Sequence, residues 1–174
     1  MARNDRDIML NDILVVSDKK EEKFLRRKAA DFDFKKFTKK EIAELISRMR
    51  RIMRAANGIG LSANQIGLDL NMFVAEVPDV DAGGTKFYAL FNPKMEKKSD
   101  EAGIFEEGCL SIPGTWGYVP RAERITLAGF DKNGKSVKIR AWGLLAHVFQ
   151  HETDHLQGKL FVDRTKKVFT HEKE

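Results

Sequence analysis

The motif HETDH, which begins at His151 inside an apolar helical pattern, constrains this chain most. At 3.6 residues per turn, histidines four positions apart lie side by side on one face of a helix, with Glu152 next to the first. The apolar spacing predicts a helix from Leu144 to Gly158 and places the motif on its buried arc. Because an uncompensated charge is costly to bury, these polar side chains need a partner, and a metal ion is one.

The predicted helix divides into two arcs on a helical wheel. The arc expected to be buried contains Leu144, Leu145, Val148, Phe149, His151, Glu152, His155 and Leu156. The arc expected to face solvent contains Ala146, His147, Gln150, Thr153, Asp154 and Gln157.

A catalytic metal usually needs a third protein ligand besides two imidazoles. His147 lies on the same helix, about 12 Å along the axis from His155, so it is badly placed to complete a tetrahedral shell. His171 lies in a polar C-terminal segment, and we interpret both residues as solvated. Cys109, the single cysteine, follows a glycine and is the remaining strong donor. A thiolate with two imidazoles suits zinc or ferrous iron, although a buried apolar cysteine and two core histidines are the alternative interpretation.

The rest of the pattern predicts one long helix and several antiparallel strands. Thr38 and Glu41 form a capping box before a helix over residues 39–56, which Asn57 and Gly58 end. A glycine-punctuated loop, GIGLSANQIG, follows it. Strand-like runs begin at Asn71, Lys86 and Arg124, and Asn133-Gly134 predicts a tight hairpin turn from the third run into KSVKIRAW. The glycines and prolines of residues 103–120 predict an irregular or edge-strand segment.

Composition limits the class of protein. A chain of 174 residues fits a single domain over residues 1–174, and no apolar run is long enough to span a membrane. Residues 1–10 have no apolar stretch after their charges, and one cysteine cannot form an internal disulfide, so we expect a cytoplasmic protein. The net charge of +5 comes largely from basic segments on the predicted solvent face of the first long helix. We therefore expect no direct nucleic-acid function.

Three blocks of this sequence resemble the peptide deformylase family. They are GIGLSANQ from Gly58, EGCLS from Glu107 and QHETDHLQG from Gln150, in the family's order. The resemblance continues through PRAERI and through Leu160 and Phe161, so it covers most of the chain beyond residue 40. Ser62 stands where alanine is commoner in the family, and we expect its hydroxyl to leave the chemistry unchanged.

The resemblance implies a fold, an activity and a set of roles. The fold is α+β, with antiparallel β-sheets packed around the motif helix. The activity is removal of the formyl group from the formylmethionine of nascent polypeptides, which releases formate. A metal held by Cys109, His151 and His155 activates water, and Glu152 transfers protons. The metal is Fe(II) in the cell, with zinc, nickel or cobalt as substitutes.

The same resemblance assigns residues that bind the substrate. The side-chain amide of Gln65 and the backbone N–H of Leu110 stabilise the developing oxyanion. Backbone groups of Ile59, Gly60 and Gly108 contact the substrate peptide. We place the methionine pocket near Ile59, Phe149 and His151. Formylmethionyl nascent peptides are the expected partners, together with the ribosome from which they emerge.

Two other classes of protein use related devices. A zinc peptidase with the same motif needs a further ligand after Phe161, where the possible donors are Asp163, His171, Glu172 and Glu174. A non-catalytic, metal-stabilised module attached to ribosomes needs neither Glu152 nor Gln65, and structural zinc usually has four protein ligands. Release of formate from formylmethionyl peptides separates the three classes.

Overall fold

The computed structural model describes residues 12–79 and 83–171. Its α-helices are α1 (Lys19–Leu25), α2 (Lys39–Ala55) and α3 (Gly143–Leu156). Its strands are β1 (Gly60–Ser62), β2 (Met72–Pro78), β3 (Thr85–Lys98), β4 (Ala102–Cys109), β5 (Ile112–Ala122), β6 (Arg124–Phe130), β7 (Ser136–Trp142) and β8 (Val168–Phe169). Short 3-10 turns occupy Phe34–Lys36, Ala63–Ile66 and Phe161–Asp163. Within these described ranges, no helix is long and apolar enough to cross a membrane. Residues 1–11, which carry the N-terminal prediction, lie outside them.

The strands form two antiparallel sheets. The first has the order β1-β2-β3-β6-β7, and the second has the order β4-β5-β8. Helix α3, which carries the HETDH motif, contacts strands of the first sheet and β5 of the second. The predicted α+β fold, with antiparallel sheets around the motif helix, is confirmed.

Strand β2 is buried on both faces along almost its whole length because a helix packs on each side of it. In β2, Met72 and Val74 belong to the apolar cluster that includes Ile52 and Met53 of α2. Phe73 and Ala75, which point the opposite way, pack in the cluster that contains residues of α3. The motif helix therefore lies under an apolar layer that excludes water from one side of its histidines.

Helix α2 confirms its prediction at both ends, but its basic face is less solvated than expected. Thr38 and Glu41 form the capping box, and Asn57 adopts a left-handed conformation just beyond the helix. Arg54 and Arg50 both donate hydrogen bonds to the buried carboxylate of Glu76 in β2. The hydrogen bonds from Arg54 lower the pKa of Glu76 most, and those from Arg50 lower it next, so that it lies well below its usual value. The two arginines thus join α2 to the sheet.

For residues 103–120, the edge-strand alternative is confirmed, because β4 is an edge of the second sheet, and the irregular alternative is wrong. These residues form most of β4 and β5, which pair along their whole length with one irregularity beside Cys109. At Gly103, Gly108 and Gly117, neighbouring side chains occupy the space of the missing Cβ atom, as Trp116 does at Gly108, whereas Gly114 has open space and a left-handed φ of +75°. Prolines fit in β5 because β8 pairs only with Trp116 and Gly117, leaving the same edge of β5 near Pro120 without a strand partner among the described residues.

Two predicted connections differ in detail. The hairpin between β6 and β7 is confirmed, but the turn is wider than a two-residue turn because Asp131 pairs with Lys135 and its side chain accepts from the backbone N–H groups of Asn133 and Lys135. Only Gly134, not Asn133, is left-handed. The segment predicted as a loop after Gly58 instead contains β1 and the turn Ala63–Ile66, because its backbone pairs with β2.

Helix α3 is buried on more sides than a single arc allows. Leu144, predicted to be buried, is exposed, whereas Ala146, Gln150 and Asp154 are buried. The reason is that polar side chains on the second arc meet buried partners: Gln150 bonds the backbone of Ala122, and Asp154 pairs with arginines. The wheel assumed one buried face, but the helix has protein on both sides.

Gly158 provides a test of how tightly the chain turns after α3. Its φ of +71° is left-handed, and an added Cβ would lie 2.3 Å from the carbonyl oxygen of Arg26. Gly84 has a similar φ of +78° but open space around it. We expect Gly84→Ala to cost about 1–2 kcal/mol of unfolding free energy through backbone strain alone. Gly158→Ala should cost more than about 4 kcal/mol because the backbone of Arg26 cannot move aside.

Urea unfolding followed by circular dichroism measures both variants. Equal losses of stability would show that the contact with Arg26 has no role in the fold.

Candidate metal centre and active site

A cleft of about 750 Å³ lies between the two sheets and opens to solvent. Its buried floor includes Gln65, Glu107, Cys109, Val148 and Glu152. Its exposed rim includes Asn57, Ile59, Glu106, Pro113, Gly114 and Trp116. The sequence blocks that resemble the deformylase family therefore meet at one place.

Three donor atoms converge in the floor of this cleft. Cys109 is the last residue of β4, and its Sγ lies 3.2 Å from Nε2 of His155. That nitrogen lies 3.1 Å from Nε2 of His151, one turn earlier on α3. The ligand atoms of the three residues all lie within 4.8 Å of one another. Ligands around a tetrahedral zinc-sized ion are separated by about 3.3–3.6 Å, so the cluster has nearly the right size for one.

The chemistry of the donors also fits a cation. Burial lowers the pKa of His155 well below its ordinary value, which keeps it neutral and able to coordinate. Burial would lower the pKa of His151 too, but its contacts with Cys109 and Glu107 outweigh burial and raise it. The pocket around these imidazoles is therefore negative enough to attract a positive charge, which a divalent ion supplies.

Glu107 orients one of the two imidazoles. Its Oε2 lies 2.8 Å from Nδ1 of His151, so Nδ1–H donates to the carboxylate and Nε2 keeps its lone pair toward the cluster. The Glu107 side chain is fully buried, and Arg121 donates two hydrogen bonds to it. Burial alone would raise the pKa of Glu107, but the bonds from Arg121, His147 and His151 hold it well below its usual range. The carboxylate is thus charged and fixed.

The prediction that His147 is solvated is wrong. Its Nε2 lies 3.0 Å from Oε1 of Glu107, its ring stacks on Phe105, and only 12% of its side chain is exposed. As predicted from its position on the helix, His147 is not one of the three residues whose donor atoms cluster. His171, in contrast, is exposed and contacts Glu106.

Glu152 lies in the same cleft and is almost completely buried. Burial raises its pKa to about 7, although His151 and the hydroxyl of Ser62 favour its charged form. Ser62 donates a 2.7 Å hydrogen bond to Oε2 of Glu152. A Cβ at Gly60 would lie 2.3 Å from Oε1, so only glycine leaves room for this carboxylate. We expected the hydroxyl of Ser62 to leave the chemistry unchanged, but it donates directly to the carboxylate of Glu152.

Gln65 is buried and held in one orientation. The backbone N–H of Ser62 donates to its Oε1 over 2.9 Å, which turns its amide group toward Cys109 and Ser111. Its Nε2 lies 3.6 Å from Sγ of Cys109 and 3.2 Å from Oγ of Ser111. Leu110 follows Cys109 directly at the bend between β4 and β5. The side-chain amide of Gln65 and the backbone of Leu110 are therefore both next to the donor cluster.

The predicted methionine pocket needs one correction. Ile59 and His151 line the cleft, but Phe149 does not. Its ring is fully buried against Phe73 and Tyr88. The neighbouring residues on α3, His147 and Val148, line the cleft instead.

Sequence reasoning missed Glu107, Arg121 and Asp154 as a connected group. Arg121 bonds both carboxylates, and Arg164 bonds Asp154 from the chain that follows α3. Glu107 and Arg121 lie inside the EGCLS and PRAERI blocks, but no spacing rule joins them. The three side chains are buried together, and nothing in the sequence indicates that burial.

The third ligand can be tested with cobalt. If Cys109 binds as a thiolate, the Co(II)-loaded protein should show a sulfur-to-metal charge-transfer band in the near ultraviolet. Cys109→Ala should abolish this band and weaken metal retention. His147→Ala and His171→Ala should keep the band, because the structure directs these side chains to Glu107 and Glu106. A wild-type spectrum without the band, or loss of it in the His147 variant, would contradict this ligand set.

Comparisons with known proteins identify the family of this chain. The model of the polypeptide deformylase family matches residues 11–170. A peptide deformylase of Chloroflexus aurantiacus is 36% identical over 169 residues, covering 91% of this chain and 88% of the relative.

Two solved structures are also similar. A probable peptide deformylase from Synechococcus phage S-SSM7 has a TM-score of 0.78 and 38% identity, covering 88% of this chain and 98% of that one. A peptide deformylase from Synechococcus elongatus in complex with actinonin has a TM-score of 0.76 and 35% identity, covering 89% and 78%. The chain belongs to the peptide deformylase family.

Proposed function

We propose that this enzyme hydrolyses the N-formyl group of the formylmethionine that begins nascent polypeptides, releasing formate. The observation that carries the proposal is the convergence of three metal donors, a buried carboxylate and an oriented side-chain amide in one cleft. Hydrolysis of an amide requires these components: an activated water, a proton carrier and a donor for the oxyanion.

Cys109, His151 and His155 would hold the metal, and Fe(II) is the ion we propose for the cell. When bound, a divalent ion would supply a Lewis acid that polarises a carbonyl and makes water a better nucleophile. Glu107 keeps His151 in the tautomer that presents Nε2 to the ion. Cobalt, nickel and zinc suit the same mixed nitrogen and sulfur donors.

Glu152 would act as the proton carrier. A carboxylate whose pKa is near 7 accepts a proton from the attacking water and later gives one to the departing amine. The amide of Gln65 and the backbone N–H of Leu110 would donate to the oxygen of the formyl group as it gains charge. Backbone groups of Ile59, Gly60 and Gly108 would bind the peptide along the cleft, with the methionine side chain near Ile59 and His151.

We also propose that residues 1–174 form a single catalytic domain, that it works in the cytoplasm, and that it meets its substrates at the ribosome. A lone cysteine used as a metal ligand suits a reducing compartment. A peptidase activity has less support, because His171 and Asp163 contact Glu106 and Arg26 rather than the donor cluster. Glu172 and Glu174 lie outside the described residues.

Formate release tests the function directly. Fe(II)-loaded protein, kept anaerobic, should release formate from formyl-Met-Ala-Ser and leave the peptide bonds intact. Cleavage of the peptide without formate would favour a peptidase. Tight metal binding with neither product would favour a non-catalytic module.

The variant Glu152→Gln isolates proton transfer. Glutamine has a similar size and can still accept from Ser62, so the fold and metal content should be unchanged. The rate of formate release should fall by about 10²- to 10⁴-fold, because the amide does not carry the proton. A rate near that of the wild type, measured at equal metal content, would remove Glu152 from the mechanism.

The variant Ser62→Ala tests the tuning of Glu152. The Ser62 hydroxyl favours the charged carboxylate, so its removal should raise the pKa of Glu152 further. Because only the ionised form accepts a proton, activity is lost as pH falls through this pKa. The acidic limb of kcat/KM should therefore move to higher pH while the plateau stays similar.

Ser136→Ala, on an exposed strand position, is the matched control for this shift. An acidic limb that does not move in Ser62→Ala would show that the hydroxyl has no influence on the base.

A further inference from the structure

The C-terminal segment returns from the motif helix to the rim of the cleft. Beyond α3, Leu160 and Phe161 pack in the apolar cluster that contains Cys109. Arg164 pairs with Asp154 of α3. The segment then forms β8, which pairs with β5 at Trp116 and Gly117. The segment therefore connects the motif helix α3 to the rim of the cleft.

Trp116 is held between the segment and the metal-binding strand. On one side, its ring fills the space beside Gly108, where an added Cβ would lie 2.9 Å from the indole. On the other side, the ring of His171 meets it edge-on at 5.2 Å. Phe169 pairs with Trp116 through the backbone and packs on the rings of Tyr118 and His171. These contacts fix the indole, which lines the cleft and is still partly exposed.

Glu106 is held by the same segment. Nε2 of His171 lies 2.8 Å from Oε1 of Glu106, and the Glu106 side chain is 39% exposed. Both Glu106 and Trp116 line the cleft at its open end, whereas Glu152 and Gln65 lie in its floor. A peptide whose formyl group is in the floor leaves the cleft across its rim, and these two residues are part of that rim.

We propose that residues 168–171 belong to the substrate site, because they fix Trp116 and Glu106 where these side chains contact the peptide residues that follow formylmethionine. This proposal rests on the proposed deformylation and extends it to the rest of the peptide. The indole offers a flat apolar surface, and the carboxylate offers a negative charge. The preferred substrates are therefore those with long basic side chains after the first residue, since their stems pack on the indole and their charges pair with Glu106. His171 is a positioning residue, acting through both.

Three peptides test the proposal: formyl-Met-Ala-amide, formyl-Met-Lys-Lys-amide and formyl-Met-Glu-Glu-amide. Formate release from the alanine peptide reports the proposed function by itself. At low ionic strength, kcat/KM for the lysine peptide should exceed that for the glutamate peptide by about fivefold, the size expected of a partly exposed ion pair. Glu106→Gln should reduce this ratio to near one.

Variants of Trp116 and His171 separate binding of the peptide from catalysis. Trp116→Ala should raise KM for the lysine peptide by roughly tenfold, with kcat unchanged, because an aromatic contact is lost. His171→Ala should raise the same KM by about fivefold, because both rim side chains lose a partner. His171→Gln keeps an N–H donor and should restore most of the loss. Thr170→Ala, an exposed neighbour in the same segment, is the control.

Each outcome has one meaning. Equal turnover of the lysine and glutamate peptides by the wild type, or a His171→Ala variant that behaves like Thr170→Ala, would overturn the proposal while the alanine peptide still supports deformylation. Parallel losses on all three peptides would also overturn it, because the rim would then act on the fold or the metal. Absence of formate from every peptide would instead refute the proposed function.

Discussion

The buried carboxylate of Glu107 is the interaction on which the rest of the site depends. A charge with no exposed surface is stable only when its oxygens are fully paired, and here Arg121, His147 and His151 supply the partners. These partners come from β5 and α3, while Glu107 belongs to β4. The same pairing therefore joins the second sheet to the motif helix and orients a metal ligand. Cys109 comes two residues later, so the position of its thiol follows from the same strand.

The surrounding fold protects this arrangement from water. Helix α3 has apolar side chains packed against the first sheet and polar ones that meet buried arginine, glutamate and backbone partners. Arg121 and Arg164 both reach Asp154, so the charge network extends to the segment after the helix. In a dry environment these charges interact strongly, so the negative cluster favours a divalent ion, while burial raises the pKa of Glu152. Structure and chemistry thus share the same side chains.

The sequence predicted those parts of the molecule that depend on local pattern. Neighbouring residues alone predict the capping box at Thr38, the helix α2 from its apolar spacing, and the strands from their β-branched and aromatic residues. The donor cluster was predicted because HETDH fixes its own geometry on a helix and because the chain has one cysteine. What failed depends on long-range contacts. His147 was assigned to solvent because nothing nearby shows that Glu107 lies opposite it. For residues 103–120, the choice between an irregular and an edge-strand segment stayed open because Trp116 fills the space beside Gly108 only after β4 and β5 pair.

X-ray absorption at the zinc edge of the Zn(II)-loaded protein tests the central claim most directly, because it counts the ligands without relying on activity. We expect one sulfur at about 2.3 Å and two imidazole nitrogens at about 2.0–2.1 Å, with the remaining shell filled by oxygen. Cys109→Ala should remove the sulfur and leave the two imidazoles. A wild-type spectrum with no sulfur, or with three or more imidazoles, would contradict a centre built from Cys109, His151 and His155.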